Sequence, residues 1–155
     1  MAYEIERKFL VDIEKLPKLE NGFIIKQAYM PTSNNTVVRV RIKNTKAFLT
    51  IKGENKGLVR SEYEYEIPLE DAEEMISNLC KKPIISKTRY EIKHENHIWE
   101  IDIFYEDNKG LIIAEVELES ENEKVILPPW VKEEVTEEDK YYNSNLIRNP
   151  FLKWN

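Results

Sequence analysis

The chain has 155 residues, about one domain's worth, with 34% charged and 41% hydrophobic side chains that include eight Tyr, five Phe and three Trp. That is too much core-forming material for a disordered polyelectrolyte, while 23 basic against 29 acidic residues (net −6) argues against a general nucleic-acid partner. Four glycines cannot build a glycine-rich dinucleotide fingerprint or P-loop, and a single cysteine excludes an internal disulfide and a cysteine-rich zinc site.

No apolar run approaches the roughly 18 residues of a membrane span, and Met1-Ala2-Tyr3-Glu4 does not read as a signal peptide. The expectation is a soluble cytoplasmic protein with no membrane partner. No internal linker, repeat or low-complexity stretch divides the chain, so residues 1–155 are expected to form a single domain.

In chain order, the first element is a strand over Tyr3 to Val11, followed by a weak helical turn near Asp12 to Leu16 that Pro17 stops. Strands are then expected over Phe23 to Met30, Thr36 to Lys43, Ala47 to Gly53 and Arg60 to Pro68, all rich in β-branched and aromatic residues with period-two alternation. Leu69 to Lys82 changes period: Leu69, Ala72, Ile76, Leu79 and Cys80 share a helix face, and Glu70 with Asp71 suit its N-terminus. Three further strands follow, over Ile84 to Lys93, His97 to Tyr105 and Leu111 to Glu119. Thr136 is then a good N-cap, with Glu137, Glu138 and Asp139 in the first turn of a helix running towards Ile147. The eight strands are joined mostly by short polar links, which favours antiparallel neighbours, and an even number of them can close into a barrel. The helices would pack outside. The fold class is therefore α+β and mainly β: a closed eight-stranded antiparallel barrel.

Residues i and i+2 of a strand share a face, so each strand splits in two. One face collects Glu4, Glu6 and Lys8; Arg39 and Arg41; Lys52; Glu62 and Glu64; Lys87 and Arg89; Asp102; Glu115 and Glu117. The other face is largely apolar. Alternation of this kind usually means a solvated face. Three features argue otherwise. Arginine is scarce, yet Arg39, Arg41 and Arg89 all fall on the charged faces; most strands carry one sign of charge; and the carboxylate pairs are costly unless something neutralises them. With these faces turned inward, seven carboxylates and six cations share a lumen suited to a small polyphosphate. Arg and Lys would bind its oxygens, and the carboxylates would hold bridging metals that activate a water.

Several stretches then match, in order, a known family. They are Glu4-Ile5-Glu6-Arg7-Lys8-Phe9-Leu10, Gln27-Ala28-Tyr29, Arg39-Val40-Arg41, Thr50-Ile51-Lys52-Gly53, Arg60-Ser61-Glu62-Tyr63-Glu64, Lys87-Thr88-Arg89-Tyr90, Trp99-Glu100-Ile101-Asp102, Gly110-Leu111 with Glu115-Val116-Glu117, and Glu134-Val135-Thr136 before Tyr141. This series resembles the CYTH or triphosphate tunnel metalloenzyme superfamily, and is similar to its short bacterial inorganic triphosphatases. The resemblance implies a triphosphate tunnel in which tripolyphosphate is hydrolysed to pyrophosphate and phosphate with Mg²⁺ or Mn²⁺, two ions per site. It implies that Lys8, Arg39, Arg41, Lys52, Lys87 and Arg89 grip phosphate oxygens. It assigns metals to Glu4, Glu6, Glu62, Glu64, Glu115 and Glu117, with Asp102 a further ligand. Glu4, Glu6, Lys8 and Tyr29 would act in catalysis, Tyr29 lining the tunnel, while a C-terminal helix around Tyr141 and Tyr142 caps one end. A homodimer is compatible with this reading.

Other members of the superfamily set the alternatives. Only Met1-Ala2-Tyr3 precedes the Glu-x-Glu-x-Lys motif, which counts against a class IV adenylate cyclase. A thiamine triphosphatase needs an aromatic platform, for which Trp99, Trp130 and Trp154 are the candidates; a nucleoside triphosphatase and a non-catalytic polyphosphate-binding module are also open. His94 and His97 flank a hairpin turn and are expected to be solvated, Cys80 to pack, and the acidic run Glu133 to Asp139 to open the last helix.

Overall fold

The computed structural model describes residues 3–154. In chain order its elements are β1 (Tyr3–Val11), β2 (Phe23–Met30), β3 (Val37–Lys43), β4 (Lys46–Lys52), β5 (Val59–Ile67), α1 (Leu69–Asn78), β6 (Ile85–His94), β7 (His97–Phe104), β8 (Ile112–Glu117), β9 (Val131–Glu134) and α2 (Asn143–Leu146). Short 3₁₀ turns lie at Ile13–Lys15, Glu106–Asn108, Asp139–Tyr141 and Phe151–Lys153. No helix among the described residues is long and apolar enough to cross a membrane.

Every strand pairing among the described residues is antiparallel. The sheet order is β5-β4-β3-β2-β6-β7-β8-β1-β9, and β1 also pairs with β5, so eight strands close into a barrel as the alternation predicts. The closing seam is short: Tyr3↔Ser61, Glu4↔Arg60 and Ile5↔Val59. Beyond it β5 leaves the edge of β1, and β9 takes the place with Phe9↔Glu134 and Val11↔Val131. This ninth strand has no periodic signal in a four-residue acidic segment; it forms because the edge of β1 would otherwise keep unpaired N–H and C=O groups. At the start of the seam, a Cβ on Gly53 would fall 2.2 Å from the Ser61 hydroxyl oxygen. Glycine there lets β4 meet β5 in the register that sets Lys52 opposite Glu62.

The apolar faces point outward, and each is covered differently. Ala72, Met75 and Ile76 of α1 pack with Cys80 on Val40 and Ala47, which covers β3 and β4. The helix ends at Asn78, short of the expected Lys82, because the Lys81 N–H turns away to the Tyr29 carbonyl at 2.9 Å. Over β1, β7 and β8 the cover is the connection into β9. Trp130 sits edge-on to Trp99 with centroids 5.5 Å apart, and Trp99 packs on Phe9. On β5 only the ends of the outer face are covered, Val59 by the Trp99 cluster and Ile67 by the α1 cluster, and in the middle Tyr63 and Tyr65 are 48% and 59% exposed. So helices account for only part of the outer layer.

The expected helix from Thr136 does not form there. Val135 N–H still bonds the Lys8 carbonyl (2.8 Å), and Thr136 Oγ1 accepts from the Lys8 N–H (3.0 Å). The hydroxyl is thus used to continue the β1 ladder and cannot cap a helix, which is reduced to a 3₁₀ turn and the four residues of α2. Glu134 in the acidic run instead binds Arg7 through two hydrogen bonds of 3.0 and 2.8 Å. The C-terminal segment still closes one end of the barrel: Tyr141, Leu146 and Ile147 pack on the inward-facing Tyr29, Ile85, Phe104 and Ile113.

Candidate active site in the barrel lumen

Above this C-terminal plug the lumen is a cavity of about 260 Å³. Twelve of the thirteen charges placed inside by strand parity line it: Glu4, Glu6, Lys8, Arg39, Arg41, Lys52, Glu62, Glu64, Lys87, Arg89, Glu115 and Glu117. Tyr29 lines it as well. The thirteenth, Asp102, lies beneath the wall, 0% exposed. Its carboxylate accepts from Lys87 Nζ at 2.8 Å and from Arg89 Nε and Nη2 at 2.7 and 2.8 Å. These cations outweigh the effect of burial and hold the Asp102 carboxyl below its ordinary range.

Strand order sorts the charges by sign. Going round the ring, β4, β3, β2 and β6 are consecutive and bring Lys52, Arg39, Arg41, Lys87 and Arg89 to one side. Next come β7, β8, β1 and β5 with Asp102, Glu115, Glu117, Glu4, Glu6, Glu62 and Glu64. Lys8 and, at the seam, Arg60 are the cations that the described residues bring to the acidic arc. Lys8 is the more enclosed. Its amine stands 5.1 Å from the Tyr142 ring centre; burial pushes its pKa down, but Glu115 and Glu6 outweigh this and the net shift is upward.

Where the arcs meet, opposite charges pair. Lys52 bridges Glu4 (2.7 Å) and Glu62 (3.4 Å), Arg39 reaches Glu64 (3.2 Å), and Arg89 lies 3.3 Å from Glu100 and 3.8 Å from Glu115. Away from these seams each arc is frustrated. Burial, with Glu115 and Glu4 nearby, raises the Glu6 carboxyl well above its ordinary range; burial and Glu4 raise Glu62 and Glu117. Glu115 is held well below that range, because Lys8, Arg89 and Lys87 outweigh its burial. On the basic arc, burial followed by Arg39 and Arg89 lowers Arg41 to about 9, and burial lowers Lys87 to about 7. Arg41 has no carboxylate within 4 Å among the described residues and donates instead to Gln27 Oε1 at 2.8 Å. Arg39 Nε is buried with no acceptor among the described residues.

Strand parity finds most of these residues but leaves out several. Gln27, Arg60 and Glu100 also line the cavity, each two positions from a residue already placed inside, so the same alternation identifies them. Thr136, Asn143 and Ser144 carry no such signal, because an irregular segment and the four-residue α2 bring them to the lumen. The three tryptophans are elsewhere: Trp99 and Trp130 in the outer core, Trp154 against Tyr141 on the plug. His97 sits against Glu123 on the outer surface.

Similarity to known proteins agrees with this geometry. The CYTH domain family profile matches residues 2–147. An inorganic triphosphatase of Acetivibrio thermocellus is 44% identical over 151 residues, 97% of each chain. One from Nitrosomonas europaea is 37% identical over 147 residues, covering 92% of this chain and 95% of that one. A solved structure described as an inorganic triphosphatase superposes with a TM-score of 0.67 at 34% identity, over 95% of both chains.

Proposed function

The chain belongs to the CYTH domain family, and from that premise we propose that it hydrolyses inorganic triphosphate to pyrophosphate and phosphate inside its lumen. The observation that carries this reading is the separation of signs around one small cavity, with buried cations left short of acceptors. A linear triphosphate has the shape and charge to lie along β4, β3, β2 and β6. There Arg39 Nε and Arg41 gain the anionic oxygens that the fold denies them.

The acidic arc fits divalent metals by its donor chemistry. Glu4, Glu6, Glu62, Glu64, Glu115 and Glu117 offer hard carboxylate oxygens, and the carboxyls of Glu6, Glu62 and Glu117 are raised, first by burial and then by neighbouring carboxylates, effects that a bound cation would offset. Among the described residues no three acidic or histidine side chains already converge as a metal-ready cluster; several carboxylates lean on Lys52, Arg39 and Arg89 instead. Two Mg²⁺ or Mn²⁺ ions, when bound, would neutralise phosphate charge and lower the pKa of an attacking water. Asp102 differs from this set: both its oxygens are engaged by Lys87 and Arg89, so its role in this reading is to hold those two cations.

The chain's own groups do the rest by position. Arg39, Arg41, Lys52, Lys87 and Arg89 bind non-bridging oxygens from one side and Lys8 from the other, which holds the phosphate chain for in-line attack and stabilises the charge that moves to the leaving pyrophosphate. The Tyr29 hydroxyl, held by Gln27 Nε2 at 2.6 Å, faces the same space. The plug excludes water from that end. Among the described residues the aromatic rings at the cavity are Tyr29, which is buried in the core beneath the lumen, and Tyr142, whose ring is faced by Lys8 and Arg60 at 5.1 and 5.9 Å, which disfavours a cationic thiazolium ring there.

The test is phosphate release from tripolyphosphate, thiamine triphosphate and ATP with Mg²⁺ or Mn²⁺. Tripolyphosphate is expected to turn over fastest, and chelation to stop the reaction. Faster turnover of either organic triphosphate would overturn the substrate assignment. Tight binding of tripolyphosphate without cleavage under every divalent ion would leave a binding module.

A further inference from the structure

Among the described residues the C-terminal plug hydrogen-bonds a cation of the lumen through one oxygen atom. Asn143, the first residue of α2, accepts from Lys87 Nζ at 2.9 Å and from Gln27 Nε2 at 3.1 Å, both at its Oδ1. An ammonium only donates, so the Asn143 atom that faces Lys87 is the carbonyl oxygen. Gln27 is oriented to match: its Oε1 accepts from Arg41 Nε and its Nε2 also donates to the Tyr29 hydroxyl. One oxygen therefore joins Lys87 on β6 to the Gln27–Arg41 pair on β2 and β3.

The geometry at Lys87 gives this joint a chemical consequence. The ammonium has three N–H donors. Asp102 takes one and Asn143 a second, leaving the third for the lumen. With two acceptors fixed on rigid neighbours, the direction of the third N–H is set before a substrate arrives. With Asp102 alone, the four-carbon side chain can swing about that one hydrogen bond, and the third N–H moves with it.

We propose that Asn143 is a positioning residue of the phosphate site, whose Oδ1 aims Lys87 and fixes the Gln27–Arg41 pair; this rests on the triphosphatase reading. A merely structural role would be to anchor the plug, and near-isosteric substitutions separate the two. Asn143→Leu keeps the number and branching of the side-chain heavy atoms and removes the acceptor. It is expected to lower kcat for tripolyphosphate at least about ten-fold, the loss of one hydrogen bond to a charged group, with KM nearly unchanged. Its melting temperature is expected a few degrees lower, because the buried Lys87 Nζ and Gln27 Nε2 lose an acceptor, so activity is compared well below both melting temperatures. Asn143→Asp keeps the acceptor and is expected to recover most of kcat, with a raised KM from its negative charge. If Asn143 acts through Lys87, then in a Lys87→Met background Asn143→Leu adds less than about two-fold.

A wild-type kcat in the Leu variant would overturn the proposal, as would equal impairment of the Leu and Asp variants. Costs that multiply in full in the Lys87→Met background would do the same. A wild-type protein inert towards tripolyphosphate would instead overturn the triphosphatase reading, and this role with it. If Asn143→Leu fails to fold, Asn143→Ala takes its place in the same comparisons, with the same kcat outcomes supporting or overturning the role.

Discussion

Asp102→Asn probes the arrangement of the lumen more sharply than any change at its surface. Asp102 is 0% exposed and Lys87 1%, and three charge-assisted bonds of 2.7 to 2.8 Å join the carboxylate to Lys87 and Arg89. An amide of the same shape keeps one acceptor and turns an N–H donor towards cations that cannot accept it. Removing one partner of a buried ion pair costs about 3–5 kcal/mol. Glu100 and Glu115 still stand 3.3 and 3.8 Å from Arg89, which places this variant at the lower end, about 3 kcal/mol. For a chain of this length that is a fall in melting temperature of roughly 6–12 °C at pH 7 without ligand. Asp102 has a lowered folded pKa, so its stabilisation is present above the ordinary value of 3.8 and is lost as pH falls through the lower folded value. The gap between variant and wild type should therefore narrow in acid. Tripolyphosphate should raise the melting temperature of the variant more than that of the wild type, because its oxygens replace the lost counter-charge. A variant that melts within about 1 °C of wild type, and differs only in needing more Mg²⁺ for half-maximal activity, would refute this account and make Asp102 a metal ligand.

Three further outcomes are expected. Arg41→Met removes a guanidinium that is costly to bury, so the ligand-free variant should melt no lower than wild type while its tripolyphosphate affinity in calorimetry falls at least about ten-fold. Because burial lowers Lys87 to about 7, the metal-free protein at pH 8 should take up close to one proton on binding tripolyphosphate. This is read from calorimetry in buffers of different ionisation enthalpy, and it should vanish in Lys87→Met. The same lowered value means that the Lys87 contribution to stability rises as pH increases from about 7 towards 10.5, where the unfolded amine still binds its proton. Thr136→Val leaves the buried Lys8 N–H without its acceptor and should cost about 1–3 kcal/mol in a denaturant melt, whereas Thr136→Ser should cost much less.

Much of this protein is written in a period of two. Alternation alone assigns the eight barrel strands within a few residues and turns Arg39, Lys87 and Glu115 to the inside, because a strand offers only two faces and one must be apolar. The irregular parts escape it for a matching reason. Thr136 has every local mark of a helix cap, yet a tertiary partner, the Lys8 N–H, takes its hydroxyl. Strand β9 exists because β5 leaves the edge of β1. Asn143 reaches Lys87 across 56 residues and Gln27 across 116, distances that no local pattern records.

The sequence by itself determined which charges enter the lumen and that they nearly balance there, since parity along each strand is local. It could not determine where the signs lie around the ring. Along the chain acidic and basic strands are interleaved; in the barrel, non-sequential neighbours such as β2 with β6 and β1 with β5 and β8 gather them into one basic arc and one acidic arc. Long-range pairing alone makes that separation. Among the described residues it is what leaves Arg41 without a carboxylate and Glu6 without a cation bound to it, and so sets an anion-seeking wall opposite a cation-seeking one.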